Sequence, residues 1–87
     1  MSQPDLTRVQ VLLFARAREL AGKDRVDIPL PLKATVGELR RRLVEEQPAL
    51  ATVVDRSALA VNNEFVDDSA ILPPGAEIAL IPPVSGG

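Results

Sequence analysis

One amphipathic helix, closed at both ends, sets the terms on which the rest of this chain can fold. In TVGELRRRLVEEQP (residues 35–48), Thr35 is a good N-cap, and Glu38 three residues on completes a capping box. Val36, Leu39 and Leu43 share one face, and Pro48 stops the run. A helix with one apolar face must bury it, and the segments on either side offer strands. RVQVLLF (8–14) alternates polar and apolar before turning fully apolar. DRVDIPLPL (24–32) alternates again, with Val26, Ile28, Leu30 and Leu32 on one parity. Pro29 and Pro31 take the other parity, which suits an edge strand because proline cannot donate to a ladder. Between these strands, ARARELAG (15–22) reads as a short helical turn stopped by Gly22.

After the main helix, ALATVVDR (49–56) is a connector of undecided structure. ALAVNNEFV (58–66) reads as a strand, a turn at Asn62-Asn63 and a second short strand, since Asn tolerates the left-handed backbone of tight turns. Pro73-Pro74-Gly75 sets another turn, and EIALI (77–81) is the last strand. The first and last strands are the most apolar, so they are expected side by side in the centre. The order of elements predicts an α+β fold: a β-grasp, ubiquitin-like roll with a mixed sheet of about five strands and one crossing helix. The expected boundaries are a polar N-terminal arm at 1–7, the domain at 8–81 and a flexible C-terminal tail at 82–87.

Composition removes several function classes. The 87 residues contain no Cys and no His, hence no thiolate or imidazole metal site and no histidine general base. No metal and no bound cofactor are expected, and catalysis by this chain alone is disfavoured. The net charge is -2, with Phe14 and Phe65 the only aromatic residues, so nucleic-acid binding is not favoured. No apolar run approaches a membrane span, and MSQPDLTR lacks a signal-peptide core, which predicts a cytoplasmic protein that binds no membrane. Arg40, Arg41 and Arg42 resemble an anion site. A solvated surface of ion pairs, Glu38 with Arg42 and Arg41 with Glu45 at i,i+4, suffices and is the stronger reading, because Arg41 and Arg42 lie off the apolar face.

The end, IPPVSGG, is chemically the most suggestive stretch. Glycine leaves a carbonyl unhindered and lets backbone enter a narrow channel. Extended, Pro82 to Gly87 reach about 20 Å, and Pro82 and Pro83 are expected to hold the tail's start off the body. A terminal carboxylate at Gly87 would be a poor electrophile until activated, for instance as an acyl-adenylate. The chain has no phosphate-binding loop of its own, so it would be the substrate of an activating enzyme. Strand parity puts Leu12 and Phe14 outside with Arg8, and Ile81 outside with Glu77. Phe65 follows a tight turn, where burial is hard. Phe14, Phe65 and Ile81 therefore form either an exposed patch for a protein partner or a cap on the rim of the core.

VLLFARARELAG (11–22) and VNNEFVDDSAILPPGAEIALIPPVSGG (61–87) together resemble the small subunit of molybdopterin synthase, the MoaD-type sulfur carriers. The resemblance covers almost the whole chain, although residues 33–56 match only in pattern. It implies a β-grasp fold and a cycle in which an E1-like enzyme uses ATP to adenylate Gly87. A sulfur donor then makes the thiocarboxylate, and the tail enters the active site of a MoaE-type large subunit. There sulfur passes to cyclic pyranopterin monophosphate, typically within a heterotetramer. It also implies that Gly86 is the second glycine and that Pro82, Pro83, Val84 and Ser85 are inserted tail. Phe14, Phe65 and Ile81 would face the partner, and Arg18 matches the arginine of the family's REL segment. Alternatives are a carrier for thiamine, cysteine or tRNA thiolation, a ubiquitin-like modifier joined to lysines through Gly87, and a plain binding module.

Overall fold

The structure is a computed structural model that describes residues 6–83. The expected capping box is formed: Thr35 Oγ1 accepts from the Glu38 N–H at 3.2 Å, and Glu38 Oε1 accepts from the Thr35 N–H at 3.4 Å. Helix α2 follows over Val36–Glu46 and buries Val36, Leu39 and Leu43 completely. Its apolar face lies on one mixed sheet made from β1 (Leu6–Leu13), β2 (Arg25–Pro31), β3 (Ala58–Val61), β4 (Glu64–Phe65) and β5 (Glu77–Ile81).

The strand order is β2-β1-β5-β3-β4. β1 and β5 are parallel neighbours at the centre, as their apolar content predicts, and the other pairings are antiparallel. The proline-bearing β2 lies at an edge. Helix α1 (Ala15–Ala21) fills the β1–β2 connection and ends where Gly22, at φ 72°, donates its N–H to the Arg18 carbonyl at 2.9 Å. Asn62 and Asn63 adopt φ 50° and 72°, the left-handed pair that a two-residue hairpin needs. This hairpin, helix and returning strand make the β-grasp.

Four expectations need adjustment. β1 begins at Leu6, inside the expected polar arm, because Leu6 and Thr7 find register partners in Pro31 and Leu30. Leu32 is 44 % exposed rather than on the core face. The strand ends at Pro31, and the turn through Lys33, at φ 67°, breaks the alternation. The undecided connector forms a 3₁₀ turn (Pro48–Leu50) and a helical turn α3 (Ala51–Val54), which bury Leu50 and Val54. Finally, neither i,i+4 ion pair on α2 is among those the described residues make. Glu38 is turned back onto Thr35, and it is Arg40 that pairs, with Asp68 at 2.8 Å.

Candidate functional site

Because α2 covers one face of the sheet, the register determines what the other face presents. Leu12 pairs with Ala79, Ala79 with Ala60, and Ala60 with Phe65. These four residues make one apolar row across β1, β5, β3 and β4, three strand spacings or about 14 Å long. The next row toward the end of β5 contains Ile81 opposite Ala58. Phe14 keeps an extended backbone, φ -120° and ψ 154°, so the alternation of β1 carries its side chain to the same face. The row on the other side is polar, with Asp27, Gln10 and Glu77 in register. The open face is thus apolar at one end and polar at the other. The apolar end lies where the chain leaves β5.

Phe65 is 72 % exposed and Phe14 45 % exposed, while Ile81 is half-buried between its neighbours. The three are brought to one face. Sequence parity identified them but missed Ala58, Ala60 and Ala79, whose small side chains give no signal until the strands are in register. Phe14 is set outward by a costly device: the next residue, Ala15, has φ 51°, a region that a Cβ disfavours. This reversal starts α1 directly after the strand. Arg18 is exposed on α1, and its carbonyl accepts the Gly22 N–H.

A groove of about 740 Å³ lies beside this end of the molecule, lined from α1 by Ala15, Arg16 and Glu19 and from the α3 region by Thr52, Val53 and Arg56. Pro82 and Pro83 complete it. Arg18 is not part of this lining. Pro82 is buried and belongs to the wall of the body, contrary to the expectation that both prolines stand off it; Pro83 is exposed. Val84, Ser85, Gly86 and Gly87 lie outside the described residues. Among the described residues, no cluster of three or more His, Cys, Asp or Glu could hold a metal ion, and no helix is long and apolar enough to cross a membrane.

Residues 11–87 match the ThiS family. The molybdopterin synthase sulfur carrier subunit of Arabidopsis thaliana is 43 % identical over 79 residues, which is 91 % of this chain and 82 % of that protein. Crystalline SAMP1 of Haloferax volcanii, a small archaeal modifier protein, superposes with a TM-score of 0.82 at 34 % identity, covering 92 % of this chain and 99 % of that one. A chain from the complex of subunits 1 and 2 of the molybdopterin-converting factor of Helicobacter pylori gives a TM-score of 0.66 at 27 % identity. That likeness covers 93 % of this chain and all of the other.

Proposed function

The chain belongs to the ThiS family, and from that premise we propose that it is the sulfur carrier subunit of a molybdopterin synthase. The observation that carries this reading is the likeness to such a carrier along nearly the whole chain. The geometry supplies a physical reason. A carrier must be gripped firmly by its body while its last residues reach into another protein's active site. Here the exit strand β5 is hydrogen-bonded on both sides, and an apolar surface lies next to the exit. Phe14, Phe65 and Ile81 serve as the docking surface for the large subunit, with Ala58, Ala60 and Ala79 as its flat floor. Arg18 makes a peripheral contact.

In this reading Gly87 carries the reactive carboxyl group and Gly86 keeps the approach to it unhindered. An E1-like enzyme joins the carboxylate to the α-phosphorus of ATP and releases pyrophosphate. A sulfur donor then displaces AMP and leaves a thiocarboxylate. Pro83, Val84 and Ser85 thread into the large subunit, which holds the pterin substrate and the catalytic groups. The chain contributes no catalytic side chain and no cofactor of its own, and it works in the cytoplasm.

The test is an intact mass of the purified chain before and after incubation with ATP, a sulfur source and the cognate activating enzyme. The expected result is a gain equal to the exchange of one oxygen for one sulfur, mapped to Gly87 and lost when Gly87 is deleted. Conversion of cyclic pyranopterin monophosphate by the charged chain with its large subunit completes it. The likeness to an archaeal modifier protein supports a second reading, attachment of Gly87 to lysines of other proteins. No gain of sulfur, together with Gly87 found joined to lysine, would establish that reading instead.

A further inference from the structure

Apart from Pro83, the groove beside the exit of β5 has no part in the reading above, and its charge runs against that of the chain. The chain carries a net charge of -2. The groove holds two guanidinium groups, Arg16 and Arg56, against one carboxylate, Glu19. Glu19 lies 3.4 Å from Arg16, in a pair that is largely exposed on both sides. Arg56 makes no ion pair among the described residues. Beside these charges the lining is apolar, with Ala15, Val53, Pro82 and Pro83.

We propose that this groove receives an acidic segment of the large synthase subunit, with a carboxylate set against Arg56 and an apolar side chain against Val53 and Pro82. The proposal rests on the carrier reading. Three observations carry it. Pro82 and Pro83 wall the groove and also begin the exit, so a protein that encloses the residues after Pro83 must pass over it. Ala15, the residue after Phe14, lines the groove, so the groove begins one residue along the chain from the apolar end of the open face. An arginine covered by a partner without an anion opposite loses its hydration uncompensated, so the covering surface must supply one. A local cationic site on an otherwise acidic chain also fixes orientation. It attracts an acidic segment here on a chain whose net charge opposes one, and this acts mainly on the rate and register of docking.

Association of the full chain with the intact large subunit, followed by stopped-flow across ionic strengths, tests the proposal. Arg56→Glu is expected to lower the association rate roughly tenfold at low salt, with the deficit shrinking as salt rises. Arg56→Lys keeps most of the rate. Thr52→Glu, which adds a carboxylate to the same groove, lowers it in the same direction. Unchanged melting of each variant shows that the fold is intact. Equal association of Arg56→Glu and the parent at every salt concentration overturns the proposal. So does a deficit confined to the activating enzyme. Failure of the parent charged chain to convert the pterin substrate sinks the carrier reading itself. An Arg56→Glu chain that associates normally and supports conversion sinks only the groove.

Discussion

The two faces of the sheet are made by the same strands and follow different rules. On the covered face Val9, Val11, Leu13, Ile28, Leu30, Leu59, Ile78 and Leu80 are each at most 2 % exposed, and α2 closes over them. On the open face the apolar residues are fewer and are segregated. Leu12, Ala79, Ala60 and Phe65 form one row beside Phe14 and Ile81, and Asp27, Gln10 and Glu77 form the next. In the docking reading a partner covers Phe65, which is 72 % exposed. Apolar content alone therefore does not separate the core from the proposed docking surface. What separates them is whether the chain itself supplies the cover.

The sharpest way to break this contrast is to damage each face once. Leu43→Ala, on the covered side, is expected to cost about 2–5 kcal/mol, read as a lowered urea midpoint. Phe65→Asp should change stability by no more than about 0.5 kcal/mol, as for other surface positions. Its effect should appear in affinity for the large subunit, with a loss of at least about tenfold, or ~1.4 kcal/mol. If Phe65→Asp unfolds the chain as Leu43→Ala does, the open face is core and the docking reading falls.

A middle-sized effect should come from the one charged side chain that works within the covered layer. Arg40 leaves α2 with its side chain only 16 % exposed. Its Nε donates to Asp68 Oδ1 at 2.8 Å, and one terminal nitrogen donates to the Ser57 carbonyl at 2.8 Å and to the Val54 carbonyl. Arg40 thus ties α2 to the entry of β3 and to the loop before β5. Arg40→Ala leaves two part-buried carbonyls without this donor and should cost about 1–3 kcal/mol. Arg40→Lys should recover only part of it, because a point charge cannot reproduce the guanidinium fork. Affinity for the large subunit, measured on the folded variant, should fall far less than in Phe65→Asp, since Arg40 reaches the proposed contacts only through the Val54 and Ser57 carbonyls that flank Arg56. A loss comparable to that of Phe65→Asp would mean that the covered side also contacts the partner.

These results also mark what could be read in advance. The capped helix, the edge position of β2, the central pair β1 and β5 and the Asn62-Asn63 turn were legible because each follows from local chemistry or strict alternation. The outward placement of Phe14, Phe65 and Ile81 was legible for the same reason. The role of Arg40 was not, since its partners at Val54, Ser57 and Asp68 lie 14 to 28 residues away in sequence. The groove was hidden too. Thr52, Val53 and Arg56 of its lining come from a connector with no periodicity, which forms by packing Leu50 and Val54 against α1 and α2. Pro82 was read as tail because a proline after a strand signals an end, while its burial depends on the α3 side of the body.

The smallest expected effect belongs to the rim of the covered face. There the loop before β5 receives the first turn of α2: the Val36 and Gly37 N–H groups donate to the carbonyls of Ala70 and Asp68 at 2.9 and 3.0 Å. Asp67 organises this loop by accepting from the Ser69 hydroxyl at 2.6 Å and from the Ser69 N–H at 3.0 Å. Both bonds favour the ionised carboxylate, the hydroxyl most, and hold its pKa below the ordinary value of 3.8. A depressed folded-state pKa adds stability above the unfolded value, and that stability is lost as pH falls through the folded one. Asp67 is fully exposed, so the amount is small. Ser69→Ala should raise the Asp67 titration midpoint toward its ordinary value, read by NMR of the carboxyl carbon. Parent and variant should differ slightly in melting temperature at neutral pH and converge in acid. Amide exchange at Val36 and Gly37 should quicken, while exchange along β5 and the affinity for the large subunit stay as they were. A midpoint that does not move would assign the depression to the backbone N–H groups of Ser69 and Ala70. A change in partner affinity would show that the rim of the covered face and the docking surface are coupled, and the separation of the two faces would no longer hold.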